Sequence, residues 1–126
     1  MTRVTQAEIE QLRSELQDYP NAITALQEIE RCEGDLEDAV EVLALELGEK
    51  EEEQAAWLDY LINKCRKVIC KEPIKVNVPT IVGSVTKFLV EELGCNPIVA
   101  AGIGILVSQI VKKVGIDKFC ESTLPE

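Results

Sequence analysis

Apolar residues recur at helical intervals along most of the chain. Ile9, Leu12, Leu16 and Tyr19 fall three or four apart, which places them on one helix face. "TQAE" announces this helix: Thr5 can cap it, and Glu8 stands three residues on, the arrangement of a capping box. Pro20 ends it, because the residue before a proline is pushed out of the α region. The first helix is therefore expected over about residues 6–18. Ala22, Ala25, Leu26, Ile29 and Cys32 repeat the spacing in a second helix. Gly34 closes that helix, since glycine takes the left-handed conformation cheaply. Asp35 can cap a third, whose buried stripe is Leu36, Ala39, Val40, Leu43 and Leu47. Val42 and Leu45 lie off that stripe, so either the rest of the chain or a partner must cover them.

The second half reads differently. "GEKEEEQ" at 48–54 is charged and marks the expected junction between a unit at 1–49 and one at 50–126. A fourth helix carries Trp57, Leu58, Leu61, Ile62, Cys65, Val68 and Ile69 and stops near Cys70. Lys64, Arg66, Lys67 and Lys71 favour the dipole at its C-terminal end. Ile74, Val76 and Val78 alternate with polar residues in "KEPIKVNVP". One such run has no partner strand, so it reads as a crossover segment. Pro79 suits the first turn of a fifth helix lined by Ile81, Val82, Val85, Phe88, Leu89 and Leu93 and closed by Gly94. Asn96 and Pro97 open a sixth. A short turn, "IDKFCE", packs Ile116 and Phe119 back on the bundle.

The sixth helix is apolar nearly all round. Its unbroken apolar run, Pro97 to Val107, is 11 residues, against the ~20 that a spanning helix needs. A central helix of a bundle is the leading expectation. A membrane-inserting helix is the alternative. Ala100, Ala101, Gly102 and Gly104 also suit close helix–helix approach, including self-association into a homodimer.

Composition narrows the chemistry. Histidine is absent, which excludes His-based acid–base catalysis and leaves only cysteine- or carboxylate-based metal sites. The five cysteines, Cys32, Cys65, Cys70, Cys95 and Cys120, contain no CxxC pair. Cys65 and Cys70 would point about 140° apart on a helix. Reduced, mostly buried thiols are expected, and no metal or cofactor. "MTRVTQAEIE" has no apolar leader region, so the expected location is the cytoplasm. The net charge is -10, and it sits unevenly: residues 1–53 carry -12 and residues 54–126 carry +2. The acidic half repels phosphate backbones, which makes nucleic acid a poor partner and a basic protein surface a better one. No phosphate loop, dinucleotide fingerprint, calcium loop or nucleophile elbow is present, so a non-catalytic role is expected.

Residues from about 5 to 48 form a compact pattern: three short helices, two tight turns, and "CEGDLEDAVEVL" across the second turn. This resembles the UBA-like fold of ubiquitin-associated domains, CUE domains and the N-terminal domain of elongation factor Ts. The resemblance rests on Leu26, Ile29, Gly34, Asp35, Leu36, Ala39, Val40 and Leu43, and on "DYP" at Asp18–Pro20. It implies a UBA-like three-helix unit; with the helices read from the spacing further on, the expected fold is all-α, this unit followed by a second, apolar bundle of about three helices. The resemblance implies protein binding, with a ubiquitin-like partner among the candidates. By position, the family's binding surface maps to Asp18, Tyr19 and Pro20, then Val42, Leu45 and Glu46.

Overall fold

A computed structural model describes residues 2–48, 57–71 and 77–121. The protein is all-α. Its described elements are α1 (Gln6–Glu15), α2 (Pro20–Arg31), α3 (Leu36–Glu46), α4 (Trp57–Lys71), α5 (Val78–Leu93), α6 (Pro97–Val114) and α7 (Ile116–Glu121). Most of the expected junction at 48–54 and the core of the expected crossover lie outside the described residues.

The helix starts follow local chemistry. The Glu8 N–H donates to Thr5 Oγ1 at 3.1 Å, and the Thr5 N–H donates to Glu8 Oε1 at 2.8 Å, which completes the capping box. Asp35, Asn77 and Asn96 each accept a backbone N–H at the start of α3, α5 and α6. α1 ends earlier than its apolar spacing suggests, at Glu15. The chain turns there because the Tyr19 N–H donates to the Leu16 carbonyl at 2.9 Å. Tyr19 thereby leaves the α1 stripe and becomes the N-cap residue of α2, 37% exposed.

The turn after α2 uses two left-handed residues, Glu33 at φ 58° and Gly34 at φ 88°. It also receives the start of the chain. The Val4 N–H donates to Gly34 O at 2.9 Å, and the Leu36 N–H donates to Thr2 O at 3.0 Å, as a single antiparallel bridge. The sequence pattern shows no sign of this bridge. In α3 the buried set is Leu36, Ala39, Val40, Leu43 and Ala44. Leu47 was expected in that stripe but is 40% exposed, because it caps the helix after its last full turn.

α6 is the axis of the protein. It packs against α2 and α3 on one side and α5 on the other, with α4 and α7 adding further contacts. Every residue from Val99 to Gln109 is buried. Two glycines set the spacing. A Cβ at Gly102 would lie 3.4 Å from Val40 Cγ2 and 3.7 Å from Ala25 Cβ and Leu43 Cδ1. A Cβ at Gly104 would lie 3.1 Å from Val82 Cα and 3.2 Å from its carbonyl oxygen. Two residues of helix are about 200° of rotation, so these glycines face opposite neighbours. Apolar residues from both halves of the chain join one core cluster around α6.

One expectation is corrected. Cys70 and Cys120 form a disulfide, with Cα atoms 5.7 Å apart, and are not reduced thiols. Cys70 faces outward on α4 while Cys65, five residues earlier, is fully buried, as the helical rotation between them requires. Cys32, Cys65 and Cys95 take part in no disulfide among the described residues.

Candidate functional site

The loop between α1 and α2 builds one wall of a groove against α5. Pro20 occupies the first turn of α2, and the Ile23 N–H reaches back to the Tyr19 carbonyl at 3.0 Å. This fixes the loop and directs Tyr19 toward α5. A Cβ placed on Gly83 would lie 3.8 Å from Tyr19 Cε2, an ordinary van der Waals distance, so the ring lies against this face of α5. Between loop and helix lies a groove of about 420 Å³. Asp18, Tyr19 and Pro20 line one side, Val82, Thr86 and Val90 the other, and Pro97 and Ala101 of α6 complete it. Lys87 and Glu91 bring one charge of each sign to its α5 side. Thr86 Oγ1 is buried without a hydrogen-bond partner, so the wall holds an unmet polar group.

The other half of the expected surface lies elsewhere. Val42 is half-buried, Leu45 is 49% exposed and Glu46 is exposed. Glu46 borders a smaller groove of about 260 Å³ with Leu43, Leu47 and Ile98. The first turns of α6 contribute to both grooves. Pro97 and Ala101 face the Asp18–Pro20 groove, while Ile98 and Gly102 face α2 and α3. Of the six residues, Asp18, Tyr19 and Pro20 line the larger of these two grooves and Glu46 the smaller. The sequence carried little sign of the α5 wall.

The Cys32 and Cys65 thiols offer little reactivity. Burial pushes the Cys32 thiol up to about 12, and the nearby Asp38 carboxylate adds to the shift. Burial likewise pushes Cys65 up to about 12, with a contribution from Cys95. Neither supplies thiolate at neutral pH, and thiolate is the nucleophile and the metal ligand. Glu28 is buried and holds Arg31 Nη1 at 3.0 Å, and the Cys32 thiol approaches its other oxygen at 3.6 Å. Among the described residues no group of three or more Cys, Asp or Glu is placed to hold a metal ion. α6 is long and apolar enough to cross a membrane by length and composition, and 67% of it is buried inside the protein.

Comparisons with known protein families, with curated proteins and with solved structures find no match.

Proposed function

We propose that this protein is a non-catalytic interaction module or adaptor that receives a protein partner at the groove between the α1–α2 loop and α5. The observation that carries this reading is the groove itself. It is about 420 Å³, mostly apolar, and walled by the Tyr19–Pro20 loop that the UBA-like pattern singles out. Grooves of this kind accept an apolar anchor from a partner, while polar groups at the edge set its orientation. The exposed Leu45 and Leu47 beside Glu46 form a second contact region on the far side of α6. The UBA-like assignment and a cytoplasmic location belong to the same reading.

Affinity capture with three proteins tests it: wild type, Tyr19→Ala with Val90→Lys, and Leu45→Ser with Leu47→Ser. Circular dichroism checks that each is folded. Loss of partners with the first pair supports the groove. Loss with the second pair alone moves the contact to the α3 end. Recovery of the same partners by all three removes both surfaces. Titration with purified ubiquitin, followed by NMR shifts at Tyr19 and Leu45, addresses that partner directly.

A membrane-active α6 is the second reading, favoured by its length and composition. Its burial against α2, α3 and α5 means that insertion requires opening the bundle. Flotation with liposomes separates the readings, because an interaction module stays with the soluble fraction.

A further inference from the structure

α7 is too short to hold itself in place. An isolated helix needs roughly 12–15 residues to be even marginal in water, and α7 has 6. It stays docked through three attachments. Phe119 is 1% exposed, in the seam where α7 meets α4 and α6. Arg66 on α4 donates from Nε to the Phe119 carbonyl at 2.8 Å, and its guanidinium lies 4.6 Å from the centre of the Phe119 ring. The third attachment is the Cys70–Cys120 disulfide, which joins the end of α4 to α7. Cys70 is exposed and Cys120 half-buried, so a thiol in solution can reach the bond.

We propose that the Cys70–Cys120 disulfide is a thiol-controlled clasp: oxidised, it holds Phe119 in the seam between α4 and α6, and reduced by a dithiol, it releases α7 and uncovers that seam. The exchange balances as follows. A thiolate of the dithiol attacks Sγ of Cys70, the S–S bond breaks, and Cys120 leaves as a thiolate that takes a proton from water. The second thiol of the reductant then displaces Cys70, which is protonated in turn. Two electrons pass to the protein, and the reductant becomes a disulfide. Cys65, the other cysteine on α4, does not compete. It is fully buried, and its thiol is pushed up to about 12. This inference stands independently of the proposed groove.

Hydrogen–deuterium exchange of the full chain tests the clasp, with and without dithiothreitol and with Cys120→Ser in parallel. Alkylation and mass spectrometry count the thiols. The expected result is a disulfide in the air-oxidised protein that dithiothreitol opens. Exchange at residues 116–121 then accelerates by at least about tenfold on reduction and in Cys120→Ser, while α2 and α6 keep their protection. Reoxidation restores the slow rate in wild type only. Unchanged exchange at 116–121 after reduction overturns the proposal, because α7 then stays docked without the bond. Loss of protection throughout the bundle also overturns it, since the bond is then a staple for the whole fold. So does a disulfide that dithiothreitol leaves intact in the folded protein, or the finding of five free thiols after air oxidation.

Discussion

The Gly34 carbonyl accepts the Val4 N–H at 2.9 Å, and this hydrogen bond ties the start of the chain to the turn between α2 and α3. Gly34 is required there twice over. Its φ of 88° disfavours any side chain, and a Cβ would overlap the Val4 carbonyl oxygen. Gly34→Ala should therefore cost ~2–4 kcal/mol. Gly94 has a similar φ of 67° but open space around it, so Gly94→Ala should cost only ~1 kcal/mol. Urea unfolding of both variants checks the difference, and equal losses would contradict the assigned contact with Val4.

The two glycines of α6 should respond with opposite sign. Alanine in a helix interior is favoured over glycine by ~1 kcal/mol. At Gly102 the neighbours are side-chain atoms no nearer than 3.4 Å, so Gly102→Ala should be neutral or stabilising by up to ~1 kcal/mol. At Gly104 the neighbour is the Val82 backbone at 3.1 Å, which cannot step aside. Gly104→Ala should destabilise by ~1–3 kcal/mol through overpacking. Thermal melts of the two variants decide this.

Leu26 is fully buried on α2, while Leu45 is 49% exposed on α3. Leu26→Ala should cost ~2–5 kcal/mol, because it leaves a cavity at a packed site. Leu45→Ser should stay within ~0.5 kcal/mol of wild type. A melt in which Leu45→Ser unfolds early would show that Leu45 supports the fold.

Cys32 and Cys65 predict a loss of stability at alkaline pH. Both thiols are raised in the folded protein from 9.0 to about 12. The folded state then holds protons that the unfolded state has already released, so stability falls as pH rises. The contribution is complete below about pH 9 and is lost as the pH climbs toward about 12. Melting temperatures measured from pH 8 to 11 should decline less steeply for Cys65→Ala than for wild type.

Much of the helical plan was legible because it depends on neighbours in the chain. Thr5 with Glu8, Asp35, Asn96 with Pro97, and Gly94 all act within one helical turn. The misreadings occur where tertiary contacts take over. Tyr19 matched the α1 spacing, yet the turn at Leu16 hands it to α2. Leu47 matched the α3 stripe, yet the helix ends before its side chain can turn inward. Around the groove, the sequence singled out Asp18, Tyr19 and Pro20 but not their facing wall, which lies more than sixty residues along the chain on α5. It also assigned Val42, Leu45 and Glu46 to the same surface; of these, Glu46 borders a second groove, with Leu43, Leu47 and Ile98.

By itself, then, the sequence determined the helices, their caps and the apolar character of α6, because periodicity and capping are local. Only the tertiary structure decided what α6 does with that character. It runs through the middle of the fold, with Gly102 against α2 and α3 and Gly104 against α5. Only the tertiary structure paired Cys70 with Cys120 across 50 residues and laid Val4 on Gly34. Which distant segments meet depends on the packing of whole faces, and no spacing along the chain encodes that.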